Sequence, residues 1–238
     1  MMNQLRNCSP RDEQFGYECG RCSKCCHGKL IQVNPYEIGR LARCLGQTTT
    51  EFRAAWTDGG AGNYLRRGTD GACVFLGPDG CTVYADRPLV CRIYPLGRHV
   101  AADGTERWSH LAPYPESAGV YTREGTIADF LASHEAELFL RAADQYTHWV
   151  RRAAEALCAD SASLGTEGDG VPTNLADMDS TIVAHCAAMG RAEPSNLEAR
   201  KDLHLEILHQ RLDEVRGGSY GRKQTESAEL SEVLGNGG

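Results

Sequence analysis

The apolar residues change their spacing near residue 120. Beyond it, Ile127, Phe130, Leu131, Leu138, Tyr146, Trp149 and Val150 recur at roughly helical intervals, with Thr126 and Asp129 placed to cap the first turn. That pattern predicts one long helix from Thr126 to about Cys158, with the aromatic stripe from Phe130 to Trp149 turned into a core. Two more helices are predicted, one near Asp179 to Met189 and one from Ser195 to Arg216 capped by Ser195 and Glu198, after a loop read in "ADSASLGTEGDG". From Gly217 onward no period survives, and a disordered tail is expected.

Before residue 120 the chain is rich in turns. In "NPYEIGRLARCLG", Asn34 as N-cap, Pro35 at the first position, Glu37 in the first turn and Gly46 as the stop predict a helix. A second begins with Thr48 and Glu51 as a capping box ahead of Phe52 and Trp56. Two β-type runs, Cys73 to Leu76 and Cys81 to Tyr84, flank Gly77-Pro78-Asp79-Gly80 and predict a hairpin. Together these elements give an α+β, mostly helical protein. A small cysteine-rich region with its hairpin is expected over residues 1–118, a helical region over 119–216 and the tail over 217–238.

Composition narrows what such a chain does. A length of 238 residues suffices to bury a core without disulfide or metal staples, so the cysteines are not needed merely for cohesion. A net charge of -7 argues against nucleic acid as a partner. No apolar stretch approaches the eighteen residues of a membrane span, and "MMNQLRNCSPRDEQFG" lacks the apolar core of a secretion signal. The expected setting is cytoplasmic with no membrane partner. Thiols stay reduced there, which favours metal ligation or redox work over a disulfide framework, as does the odd total of 11 cysteines.

Seven of those cysteines fall into two groups, Cys19, Cys22, Cys25 and Cys26, then Cys73, Cys81 and Cys91. Two cysteines sharing a zinc ion must bring their sulfurs within about 4 Å, because each metal–sulfur bond is about 2.3 Å long. A two-residue gap folded as a turn does this, and Gly20 eases the first turn. On a straight helix, however, Cys25 would lie roughly 9 Å along the axis from Cys19. A four-iron cluster is larger, and the repeated two-residue gap is the spacing that ferredoxins use for one. Successive side chains diverge in most backbone conformations, so Cys25 and Cys26 are expected to face different sites. Four thiolates around a dication carry a net charge of roughly minus two, which calls for nearby cations, and Arg87 and Arg92 beside Cys91 are the candidates. Seven thiolates exceed one four-coordinate centre and fall short of two. A bridging sulfur, a histidine such as His27, or thiols kept for redox chemistry would each resolve the count.

"CGRCSKCC", "CVFLGPDGCTVYADRPLVCRIYP" and the "NPYEIGRLARCLG" helix together resemble the YkgJ-type cysteine-cluster family, also described as the CxxCxxCC zinc- or iron-chelating domain. The likeness covers about Phe15 to Pro95, with the two motifs in the family's order. By that resemblance Cys19, Cys22, Cys25, Cys26, Cys73, Cys81 and Cys91 are the metal ligands. Members are labelled iron–sulfur oxidoreductases or zinc-binding proteins, and some relatives methylate flagellin lysines, so the resemblance does not fix a reaction.

No phosphate-binding glycine loop, serine–histidine arrangement or HExxH pair is present. Cys8, Cys44, Cys158 and Cys186 read as ordinary residues, with Cys44 packing on its helix. The expected function is metal binding through the seven cysteines, as an iron–sulfur protein (4Fe-4S type) in redox or electron transfer, or a component of a modifying enzyme acting with a protein redox or substrate partner. Zinc is the other cofactor that fits, and it implies a zinc-stabilised interaction module; a metal carrier or sensor is the third reading.

Overall fold

Residues 8–58, 63–101, 103–112, 116–161 and 176–216 are described in the structure, a computed structural model. The order is β1 (Gln14–Glu18), α1 (Pro35–Cys44), α2 (Thr49–Trp56), β2 (Thr57–Asp58), β3 (Tyr64–Leu65), β4 (Leu76–Gly77), β5 (Gly80–Cys81), α3 (Leu89–Arg92), β6 (Leu96–Val100), β7 (Glu106–His110), β8 (Val120–Thr126), α4 (Ile127–Ser133), α5 (Glu137–Ser161), α6 (Met178–Met189) and α7 (Leu197–Arg216). Among the described residues the strands form antiparallel pairs, β1 with β8, β2 with β3, β4 with β5 and β6 with β7. The fold is α+β and mostly helical.

Side chains that satisfy orphan backbone groups decide where the helices start. Asn34 accepts from the N–H of Glu37, while Glu37 accepts from that of Asn34, closing the box that opens α1. Thr48 with Glu51 opens α2, and Thr126 with Asp129 opens α4, by the same exchange. Gly46, at φ +67, ends α1 in the left-handed conformation that glycine adopts without penalty.

The chain divides into two compact units, Met1–Ala143 and Asp144–Gly238, with α5 starting in the first and running into the second. In the first unit, β1 and β8 lie with α4 over Phe15, Trp108, Ile127 and Leu131. A second cluster in that unit, built on Ile38, Leu41, Phe52 and Phe75, carries Cys73 and Cys81 at its margin. In the second unit, Met178 and Ile182 of α6 pack on Leu203 and Ile207 of α7. There the Tyr146 hydroxyl lies 2.9 Å from Nδ1 of His204, and the Trp149 indole donates to the carbonyl of Leu208.

Several boundaries differ from expectation. The long helix is interrupted: α4 ends at Ser133, Glu135 takes a left-handed φ of +52, and α5 begins at Glu137. The last turn of α4 is closed by the Ser133 hydroxyl, which donates to the carbonyl of Phe130, and the buried Arg92 guanidinium donates to that of His134. Phe130, Phe139, Tyr146 and Trp149 are buried, but Leu138 and Val150 are exposed. Helix α6 starts one residue early, with Asp177 as its cap. Helix α7 starts late, because the side chain of Asn196, not that of Ser195, accepts the N–H of Ala199. The hairpin is confined to Leu76–Gly77 and Gly80–Cys81, since Tyr84 already belongs to a 3-10 turn over Tyr84–Asp86. Most of the "ADSASLGTEGDG" loop and the whole tail lie outside the described residues.

Candidate metal centre

Both cysteine groups lie in the first unit, and backbone hydrogen bonds join them directly. Cys73 donates its N–H to the carbonyl of Cys26 at 2.8 Å, and Gly28 donates to Gly71 at 3.0 Å. A bridge between His27 and Ala72 sits between these bonds, so the segment after the CxxCxxCC run pairs with the segment leading into the hairpin. The second partner is held in place by core packing, because Phe75, two residues on from Cys73, stacks on Phe52 at 6.0 Å between ring centroids.

The third contributor, Cys91, stands on α3. Glu37, 4 % exposed, accepts the Leu89 N–H with one carboxylate oxygen at 2.7 Å while the other caps α1. A single buried side chain therefore fixes the start of the α3 turn against the helix that separates the two cysteine groups. Burial holds the Glu37 carboxyl above its ordinary range, against the opposing pull of its two N–H donors and of Arg92.

Five of the seven predicted ligands, Cys25, Cys26, Cys73, Cys81 and Cys91, lie close enough to influence one another's ionisation. The neighbouring Cys26 thiol draws Cys25 below the usual thiol range, while Cys25 and burial drive Cys26 above it. Both residues lie in a 3-10 turn over Lys24–Cys26 entered through Ser23 at φ +62. Burial raises Cys81, and the Cys73 and Cys25 thiols raise it further while Arg87 opposes them. Burial raises Cys73 as well. The Cys91 residue is open to solvent, but enough protein surrounds its sulfur to raise it, and with Cys73, Cys81 and Cys25 the thiol is pushed up to about 12. Such mutual opposition to ionisation is what a bound cation relieves.

Cys19 and Cys22 stand apart from this group. Cys19 is exposed. Cys22 faces residues 117 and 118, where its sulfur accepts the Ala118 N–H at 3.3 Å and lies 3.9 Å from the Ser117 hydroxyl. The Ala118 N–H is the main reason its pKa falls. Gly20 allows the approach, since a Cβ there would meet Ala118 at 2.7 Å. Among the described residues no three His, Cys, Asp or Glu side chains form a ready-made cage for one ion. The donor set is right in kind for zinc or iron–sulfur chemistry, being soft sulfur.

The cations are distributed differently from expectation. Arg87 opposes the rise of Cys81, as a neighbouring cation should. Arg92 instead turns inward: it is 3 % exposed, donates to the carbonyls of His134 and Ala85, and lies over the Phe139 ring. Sequence reasoning missed Lys29, which favours ionisation of Cys25 and Cys91. Its place just after Gly28 was the available signal. Asp86 pairs with Arg40 at 2.7 Å. His27 directs Nδ1 to the carbonyl of Ser23 at 3.3 Å, and Cys44 is exposed.

Residues 18–110 match the profile of the CxxCxxCC family, described as "Putative zinc- or iron-chelating domain", and all seven cysteines fall inside the match. No curated protein and no solved structure gives a significant match. No described helix is long and apolar enough to cross a membrane.

Proposed function

On the premise that residues 18–110 belong to the CxxCxxCC family of zinc- or iron-chelating domains, we propose that the chain is an iron–sulfur protein working in redox or electron transfer, alone or as one component of a modifying enzyme. The proposed ligands come from Cys19, Cys22, Cys25, Cys26, Cys73, Cys81 and Cys91. The observation that carries the reading is the Cys73 N–H bond to the Cys26 carbonyl, which joins the two cysteine groups of a chain whose seven clustered thiols exceed what a closed tetrathiolate zinc site uses. The repeated two-residue gap from Cys19 to Cys25 adds to it.

An iron–sulfur cluster would supply one-electron chemistry; the chain's own residues supply its setting. Hydrogen bonds to sulfur and burial tune such centres, and the Ala118 N–H on Cys22 is a bond of that type. Lys29 and Arg87 offset anionic charge at Cys25, Cys91 and Cys81. Glu37 holds the start of the α3 turn that bears Cys91.

A zinc-stabilised interaction module is the second reading. It draws support from the short elements that bear the cysteines, β4 and β5 being two residues each, because a metal would then mainly pin loops. Anaerobic purification followed by iron and sulfide assays and a visible spectrum separates the two readings. Brown protein with acid-labile sulfide is expected, whereas colourless protein carrying stoichiometric zinc refutes the redox proposal.

A further inference from the structure

Helices α5 and α7 meet along a seam in the second unit, and histidines stand at two of its contacts. The buried Tyr146 hydroxyl meets Nδ1 of His204, and the Trp149 indole donates to the carbonyl of Leu208. Just beyond, Arg152 donates from one amino group to Nδ1 of His209 at 2.8 Å and from the other to a carboxylate oxygen of Asp213 at 2.9 Å. The His148 ring centroid lies 6.1 Å from that of His209. His148 and Arg152 on α5, like His209 and Asp213 on α7, are four positions apart, so each pair shares one face of its helix.

A guanidinium has donors only, so the Arg152 contact fixes Nδ1 of His209 as a bare acceptor with the ring proton on Nε2. An imidazolium carries a proton on both nitrogens and cannot accept that bond. It would also set a new positive charge against Arg152 and beside His148. Burial of the ring, then Arg152 and His148, hold the His209 pKa below its ordinary value, and Asp213 opposes them. Other charged groups near the ring are engaged elsewhere. Glu206 accepts from Gln210, while α6 meets α7 through Met178, Ile182, Leu203 and Ile207 and its Asp179 pairs with Arg200.

Protonation also offers Asp213 a second partner, because opposite charges four positions apart on one helix attract. The carboxylate can then turn from Arg152 on α5 to the imidazolium on its own helix. Asp213 is exposed, so its pair with Arg152 contributes little by itself, and the half-buried His209 bond decides whether the contact holds.

We infer that Arg152, His209 and Asp213 form an acid-sensitive latch, closed between α5 and α7 while His209 is neutral and opened when His209 takes a proton and draws Asp213 back onto α7. The folded-state pKa of His209 lies below the unfolded one. The latch therefore contributes fully above the unfolded histidine value of about 6.5, and that contribution is lost as pH falls from there through the lower folded value. It needs no metal and lies wholly in the second unit.

The test is hydrogen exchange by mass spectrometry on the full chain at about pH 7.5 and about pH 5.5, on either side of the ordinary histidine pKa, with each rate divided by the intrinsic exchange rate at that pH. Peptides over residues 146–153 and 204–213 are expected to lose protection by about threefold or more in acid, the effect of one hydrogen bond of ordinary net strength. Peptides of β1 and β8 are expected to keep theirs. His209→Gln retains an acceptor but takes no proton, and is expected to hold its neutral-pH protection in acid. Long-range proton–nitrogen NMR on the unaltered chain keeps the test valid if that variant folds poorly, with Nδ1 of His209 expected to be unprotonated in the neutral sample. An Nδ1–H tautomer there, no acid loss at the seam, or a loss spread evenly over the chain would each overturn the inference. So would the same acid loss in His209→Gln, which would move the response to His204, the other histidine on this seam.

Discussion

The Cys73 N–H donates to the carbonyl of Cys26 at 2.8 Å, so the last cysteine of the first group and the first of the second are hydrogen-bonded neighbours. Their sulfurs therefore start from adjoining backbone. The Gly28 to Gly71 bond and the His27–Ala72 bridge extend this contact into a short paired segment that fixes its register.

The first prediction follows from which thiols are gathered. Cys25→Ser, Cys73→Ser, Cys81→Ser and Cys91→Ser are each expected to lower bound metal per chain by half or more, measured by elemental analysis after anaerobic purification. Cys44→Ser is expected to keep the full complement, since Cys44 is exposed on the last turn of α1 and has no place in the ligand set. Loss of metal in Cys44→Ser would show that the ligands are misassigned.

Glu37 gives a prediction about stability and pH. Glu37→Gln preserves volume but replaces one acceptor oxygen with an NH2 group, so the N–H of either Asn34 or Leu89 loses its partner, at a cost of about 1–3 kcal/mol. Burial raises the folded-state pKa of this carboxyl above its unfolded value. Its contribution is then complete below the ordinary carboxyl range and is lost as pH rises through the raised folded value. Urea midpoints measured across the acidic range should fall with rising pH through that window in the natural protein and stay flatter in Glu37→Gln. Parallel curves would contradict this assignment.

Metal removal should act locally. Zinc or iron shared by residues from two segments stabilises the folded arrangement of both. Treatment with a strong chelator is expected to increase hydrogen exchange at residues 22–28 and 71–91 by at least tenfold, while amides of α6 and α7, which lie in the other unit, keep their rates. Uniform loss of protection throughout the chain would argue against a local centre.

In the second unit, Tyr146→Phe deletes the hydroxyl that meets Nδ1 of His204, and both residues are buried. The expected loss is about 1–3 kcal/mol by thermal or urea unfolding, with metal content unchanged. A fall in metal content would tie this pair to the cysteine group and contradict the separation of roles.

Much of this was legible in the residues, and the reasons differ by element. Asn34, Thr48 and Thr126 announced helices α1, α2 and α4 because a capping box needs only side chains three positions apart. The break at Ser133–Ala136 was not legible, because it depends on the guanidinium of Arg92, which arrives from a distant turn. Strands β1 and β8 stabilise each other across most of the first unit, and neither carries enough alternation to be read alone. At the site, cysteine spacing is what proposes the donors, but the 3-10 turn that carries Cys25 and Cys26 is entered through a left-handed Ser23 that no propensity predicts. Arg92 was read as a counter-charge beside Cys91, yet the α3 turn buries it, and Lys29 is the cation that favours ionisation of Cys91.

Whether Cys26 and Cys73 serve one metal centre is tested most directly by X-ray absorption at the metal edge of anaerobically purified protein, alone and as Cys73→Ser. The account predicts a first shell dominated by sulfur, at about 2.3 Å, that loses sulfur when Cys73 is replaced. A shell of nitrogen and oxygen only, or a sulfur shell that Cys73→Ser leaves intact, would contradict it.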